Sequence, residues 1–329
     1  MPSPDNAVET LRPDLATFDE FDLEMQRRGY IASRVMPVFE AGASAGKFGK
    51  KKLKDLIARS SEKTARAPGS GYNRKERNFD TASFATQEHG VEEPVDRREA
   101  ALYASYFDAE QDATAAAYET VLSSQERRVA DSLFNATAFA SQTTNVSNEW
   151  DSNHTTDATP IDDVETAVRE VASRTGIWPN ALVINRLVFR NLRNLNQIVN
   201  RITASGAGNP GKPSDITPQM LASVFDLDYV LVAGNYVNAA DEGLEVDLEQ
   251  IWSNEYAAVT RVATTNSIKD TCFGRIIHWS EDGSMPGGRV ESYYEPQSRS
   301  DIIRVRHDVD EVILYPELVQ LLDNVTTSA

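Results

Sequence analysis

The sequence predicts an α+β chain, on three observations. Residues 91–175 contain no glycine and residues 95–159 no proline, so a long helix can run through them. From Pro160 onward, helix-like and strand-like segments alternate. Residues 269–329 return to short apolar runs separated by turn signals.

The long helix is expected over about Ala100 to Ala140. Its second half carries Tyr118, Leu122, Val129, Leu133 and Ala136, with Gln125 interrupting. Steps of three, four and seven put these residues on one helical face. Glu119, Glu126, Arg127, Arg128 and Asp131 are placed on the other face. Ala113, Ala115, Ala116 and Ala117 favour helix and let a neighbour approach closely.

The 329 residues suffice for two domains, or for one with large insertions. With 40% hydrophobic and 25% charged residues, most of the chain should fold. No apolar run approaches the ~20 residues that cross a bilayer. The acidic start, MPSPDNAVETLRPDLATFDEFDLEM, lacks the apolar core of a secretory signal. Cys272 stands alone, so no intrachain disulfide is possible. His89, His154, His278 and His307 are scattered without ligand spacing, and no metal or cofactor site is predicted.

The net charge of −17 is unevenly distributed. Residues 47–77 hold eleven Lys/Arg against three acids, a local +8, which leaves −25 on the rest. An acidic body does not attract nucleic acid. A basic segment on such a body has two readings: contact with nucleic acid, or docking on an acidic patch of another copy.

In chain order, residues 1 to about 45 read as an arm, with Pro2, Pro4 and Pro13 spacing short acidic runs and a flexible Gly42–Gly49 segment. Residues 58–98 read as an extended excursion. APGSGYNRKERNFD is turn-rich, Phe79 to Thr86 alternates weakly as an exposed strand, and Pro94 and Asp96 signal helix entry. Residues 141–160 form a polar connector. After it, Pro160 and Asp162 open a helix with Val164, Ala167, Val168 and Val171 inward, and Gly176 ends it. ALVIN is a buried strand, RLVFRNLRN a short helix and RITASGAGNPGKPSD a loop. Thr217 caps a helix with Pro218 at its first position, and DLDYVLVAG is a second buried strand. CFGRIIHW, GRVESYYEP, IIRVRHDV and VILYPE are strands, with Ile303, Val305 and His307 on one face. PELVQLLDNV is expected to close the chain as a short helix or turn.

No candidate chemistry assembles an active site. AGASAGKF has three residues between Gly42 and Gly46 where a phosphate loop needs four, and Phe48 follows Lys47 where Ser or Thr should hold magnesium. Glu92, Glu93 and Asp96 read as a solvated strand and helix-entry acids rather than an acid–base pair. Asp241, Glu242, Glu245, Asp247 and Glu249 lack calcium-loop spacing. Cys272 reads as a small buried residue, and His278 as half-buried in a strand.

The order of parts is distinctive. A polar arm leads to a basic extended loop (Arg59 to Arg98) and then a spine helix (about Phe107 to Phe139). An α/β region follows, carrying WPNALVINRLVFRNLRN and ITPQMLASVFDLDYVLVAG, and late strands end in RSDIIRVRHDVDEVILYPE. This order resembles the major capsid proteins of tailed bacteriophages, the Hong Kong 97 fold, most closely from Trp178 to Gly234. The resemblance implies an N-terminal arm (1–57), an extended loop (58–98), a peripheral domain with the spine helix (99–159), an axial α/β domain (160–268) and return strands (269–329). It implies no catalytic residue, cofactor or metal. It implies self-assembly into hexamers and pentamers of an icosahedral shell enclosing double-stranded DNA, without sequence-specific binding. Scaffolding, portal and decoration proteins are the expected partners, with no membrane involved. The expected location is the virion, and the host cytoplasm during assembly. Arg66, Arg74, Lys75 and Arg77 are the expected inter-subunit contacts. Some family members carry a scaffolding segment ahead of the arm; here scaffolding is expected to be separate or already removed, and no crosslink is expected.

Two readings from other classes stand beside this one. The first is an α/β enzyme or ligand-binding domain in 160–268, with the N-terminal half serving oligomerisation. It calls for a pocket at the carboxyl ends of the two buried strands. The second is a nucleic-acid binder acting through the basic loop, which calls for steeply salt-dependent binding.

Overall fold

The computed structural model describes residues 10–11, 28–53, 57, 64–72, 74, 79–103, 108–204, 215–240, 243–281 and 283–327. The N-terminal part comprises β1 (Thr10–Leu11), α1 (Ala32–Val35), β2 (Val38–Ala41), β3 (Ala45–Lys51), β4 (Phe79–Ala85) and β5 (Gln87–Asp96). Next come α2 (Arg97–Tyr103), α3 (Ala109–Leu133), β6 (Thr143–Asn145), α4 (Pro160–Thr175), β7 (Ala181–Asn185) and α5 (Arg186–Leu192). Then α6 (Asn196–Ala204), α7 (Pro218–Phe225), β8 (Tyr229–Ala233), β9 (Tyr236–Asn238), β10 (Leu248–Gln250) and β11 (Ala257–Thr260) follow. The chain closes with β12 (Gly274–Trp279), β13 (Arg289–Glu295), β14 (Ser300–Ile313) and β15 (Val319–Asp323).

Two sheets organise these elements. In the first, the order is β1-β13-β14-β12-β2, and β5 also pairs with β14. The β5–β14 ladder runs from Gln87 opposite Val309 to Asp96 opposite Ser300. The second sheet has the order β6-β15-β11-β7-β8. Its central strands β15, β11 and β7 are buried on both faces, while the edge strands β6 and β8 are partly exposed. Leu182 and Ile184 of β7 enter one core with Val164, Leu192, Ile198 and Phe225. Ala181 and Val183 enter another with Leu133, Trp252 and Phe273. The period of two therefore survives, but both phases are apolar, so the strand reads as an unbroken apolar run.

Helix α3 links the two sheets. Asp108 caps it, its Oδ1 accepting from Glu110 N at 3.1 Å and Gln111 N at 3.4 Å. At 1.5 Å per residue its length is ~38 Å. Ala117, Tyr118 and Val121 pack on Val95, Val290, Ile303 and Val305 of the first sheet. Further along, Val129, Ala130 and Leu133 join the core shared with the second sheet.

The structure corrects several expectations. The helix from Ala100 to Ala140 is two helices: α2 ends at Tyr103, and the Asp108 cap starts α3 afresh. Glu126 does not face solvent; it is 1% exposed. Most of the Gly42–Gly49 segment, expected to be flexible, is strand, since Ala45–Lys51 pairs with Phe79–Ala85. Residues 28–41 pack into the body, with Ile31, Val35 and Met36 buried and β2 parallel to β12. The polar connector is integral to the fold. Trp150 is fully buried, its indole N–H donates to Asp163 at 2.9 Å, and β6 runs parallel to β15. VQLLD is a strand, not a helix or turn; only Pro316–Leu318 forms a 3-10 turn. His278 is wholly buried rather than half-buried.

Residues 201–204, expected in a loop, close helix α6, and IIRVRHDV and the start of VILYPE form one strand, Ser300–Ile313. Residues 1–9 and 12–27 of the expected arm and 205–214 of the expected loop lie outside the described residues. Several expected elements are present. Pro160 opens α4, and Gly176 closes it at φ +70°, with Val164, Ala167, Val168 and Val171 buried. The Thr217 hydroxyl accepts from Met220 N at 3.3 Å, and Pro218 starts α7. Asp96 Oδ1 accepts from Arg98 N at 2.7 Å, so the expected helix-entry acid does cap α2.

Candidate assembly interface

The β3–β4 hairpin stands apart from both sheets as its own two-stranded unit. Its register runs from Ala45 opposite Ala85 to Lys51 opposite Phe79. One face is half-buried: Phe48 and Phe84 lie with ring centroids 6.3 Å apart. The other exposes Lys47 and Lys51 beside Phe79, Thr81 and Ser83. At its base the hairpin is tied to the body by Ala85 N donating to Asp310 at 2.9 Å, and it is closed by Thr86 N donating to the Ser44 carbonyl at 2.8 Å. A two-stranded hairpin is marginal alone; this one lies on the body, where Phe48 packs against the buried cluster of Val171, Cys272, Leu314, Tyr315 and Leu318 and the Tyr315 hydroxyl donates to the Lys51 carbonyl at 2.9 Å.

Of the four residues expected at subunit contacts, Arg66 and Arg74 are exposed in the segment between β3 and β4. The Arg66 guanidinium lies 4.7 Å from the Tyr72 ring centroid. Lys75 and Arg77 lie outside the described residues.

The sheet beneath is laced by charge pairs across strands. Arg304 donates to Glu92 at 2.8 Å, joining β14 to β5. Arg306 meets Glu291 of β13 at 3.1 Å and Glu88 of β5 at 3.5 Å. Arg97 holds Asp301 with two bonds of 2.7 Å, and Arg128 of α3 grips Glu311 at 2.9 and 3.0 Å. Glu92, its side chain 46% exposed, is thus half of an ion pair.

Chemical candidates are quiet. Burial pushes the Cys272 thiol up to about 11, which makes it a poor nucleophile. Burial pushes His307 down to about 4. Among the described residues, no group of three His, Cys, Asp or Glu could hold a metal; Asp241 and Glu242 lie outside them. The string Gly42-Ala43-Ser44-Ala45-Gly46 matches the nucleophile-elbow pattern G-x-S-x-G, so the expectation that no nucleophile sits in that context is wrong. An elbow needs a strand–turn–helix. Here an exposed bend joins two strands, β2 and β3. Among the described residues, no helix is long and apolar enough to cross a membrane.

The carboxyl ends of β7 and β8 are nearly filled. Asn185 Oδ1 accepts from Leu187 N at 2.7 Å, while its amide donates to Gln250 at 2.8 Å and to the Trp252 carbonyl. The remaining space, lined by Arg186, Arg190, Asn235 and Tyr236, is about 70 Å³. Ligand pockets typically occupy roughly 300–1,000 Å³.

A spine helix crossing one sheet, a second sheet with buried central strands and a separate basic two-stranded hairpin make up the Hong Kong 97 fold of tailed-phage capsid proteins. Similarity to known proteins points the same way. The chain is 24% identical over 219 residues to the major capsid protein of Burkholderia phage BcepMu, covering 67% of this chain and 68% of that one. A phage-related protein of Bordetella bronchiseptica shares the fold with a TM-score of 0.69 at 19% identity, covering 97% and 98% of the two chains. The capsid of cyanophage P-SCSP1u does so with a TM-score of 0.54 at 9% identity, covering 88% and 86%. No protein-family model matches the chain.

Proposed function

We propose that this chain is a structural, non-enzymatic major capsid protein that self-assembles into hexamers and pentamers, which close into an icosahedral shell around double-stranded DNA. The observation that carries this reading is the β3–β4 hairpin: a basic, two-stranded projection on a chain whose remainder is strongly acidic. In this reading the hairpin, with Arg66, Arg74, Lys75 and Arg77 beyond its paired strands, reaches over a neighbouring copy. The first sheet with α3 forms the peripheral part, and the second sheet with α4 to α7 the axial part. Residues ahead of the body serve as the arm. The acidic body suits an inner wall that does not grip DNA. Exposed ion pairs at the hairpin are each worth ~0–1 kcal/mol, but a shell repeats them many times.

The filled crevice at the ends of β7 and β8 weighs against an enzyme in residues 160–268. Negative-stain microscopy with sedimentation of the purified protein tests the proposal. Closed shells, rings or curved sheets are expected. A protein that stays monomeric and binds a small molecule saturably would overturn it. Reversing the charges of Arg66, Arg74, Lys75 and Arg77 together should leave a folded monomer that no longer assembles; shells at normal yield would remove the docking role.

A further inference from the structure

Two surfaces of this chain match one another: a cleft where the β3–β4 hairpin meets the body, and an exposed strip that the monomer leaves uncovered. The first is a cleft of about 500 Å³ beside the β3–β4 hairpin. Phe79, Ile268 and Tyr315 form its apolar wall, and Lys50, Lys51 and Lys269 are its cations. Phe79 is 67% exposed, and Lys50 Nζ sits 4.6 Å from the Tyr315 ring centroid. The second surface is the limb of the β9–β10 hairpin that enters β10. Here Leu244, Val246 and Leu248 are 69%, 68% and 64% exposed. They alternate with Glu245, Asp247 and Glu249, all exposed. Among the described residues, none of these three acids and none of the three lysines makes an ion pair.

A run of exposed aliphatic side chains is normally covered by something. Here the covering partner needs apolar walls and three positive charges, and the cleft supplies both. We propose that the Leu244–Glu249 strip of one copy seats in the lysine-bearing cleft of the next copy. This rests on the self-assembly reading above and names the contact through which one subunit engages another. Because strip and cleft are different patches, the contact is head-to-tail. Such a contact does not close as a two-fold dimer; it propagates and closes only as a ring. Rings of six and five are the capsomers that the reading requires.

Charge reversal tests the contact. Glu245→Lys with Asp247→Lys, and separately Lys51→Glu with Lys269→Glu, alter only exposed side chains. Circular dichroism melts establish that each variant folds. Each pair should lower the sedimenting fraction at least tenfold, and all four changes in one chain should restore it to within threefold of wild type. In a second arm, Val246→Cys with Lys269→Cys is treated with a short bis-maleimide. Cys272 is buried, so the background is low. Assembled double variant should give a covalent ladder on denaturing gels, and either single variant should not. Pair variants that assemble at the wild-type level, or assembled double variant without a ladder, would overturn the contact while leaving self-assembly intact. A wild-type chain that never assembles would instead overturn the self-assembly reading, and the contact with it.

Discussion

The carboxylate of Glu126 accepts the indole N–H of Trp252 at 2.6 Å. The same carboxylate takes the backbone N–H groups of Ile31 and Ala32, each at 2.8 Å. Spine helix, α1 and the segment between β10 and β11 therefore meet on one side chain. Glu126→Ala leaves three buried donors without an acceptor. At roughly 1–3 kcal/mol for each such group, the loss should total ~3 kcal/mol or more. Urea unfolding of purified protein measures it, and a midpoint equal to wild type would refute the tie.

Burial pushes Glu126 up to about 7, with the three N–H donors pulling it back down. A raised folded value means that its contribution is fully present below its ordinary 4.5 and is lost as pH rises through about 7. His307 works in the opposite direction. Its folded value is depressed to about 4 from 6.5, so stability falls as pH drops from 6.5 toward 4. Between these limits the two slopes oppose each other. Glu126→Gln removes one of them, so the variant's melting temperature should fall more steeply on acidification than that of wild type. Parallel curves between pH 4.5 and 6.5 would count against this assignment.

Gly29 has φ +92°, and a Cβ there would lie 2.6 Å from Gly234 N. That nitrogen donates to the Gly29 carbonyl at 3.1 Å, tying the chain ahead of α1 to the end of β8. Gly29→Ala should cost about 2 kcal/mol or more through strain and the lost approach. Thermal melting reads this directly.

Thr217→Ala removes the cap of α7 and should cost ~1 kcal/mol. Thr217→Ser should recover most of that in the same melt. An equal loss for both would assign the effect to the lost methyl group rather than to the hydroxyl.

What could be read from the sequence follows from how local its signals are. Helix α4 announces itself through Pro160, an apolar stripe and Gly176, all within one segment. The strand Ala181–Asn185 does so through an unbroken apolar run. Strand β3 did not, because Gly46, Gly49 and its lysines suit an exposed hairpin that needs no apolar stripe. Strand β15 did not, because VQLLD is buried on both faces and carries no alternation to distinguish it from a helix. Glu126 was misread on its charge: it stands four residues after Leu122 and three before Val129, the spacing of the apolar face, while its three partners, from α1 and from the segment after β10, are not visible in the sequence of its helix. For the candidate interface, the basic charge of the hairpin was visible, but its strand pairing and the cleft beside it were not.

Strand β15 has one more consequence. It lies between β6 and β11, in the interior of the second sheet, yet it is translated after every other strand of that sheet. On the ribosome, β11, β7 and β8 are made while the place beside β11 stays vacant. The α/β half cannot reach its native pairing until residues 319–323 have emerged. An incomplete chain therefore lacks a finished sheet, and only a chain made through β15 has all five strands in place.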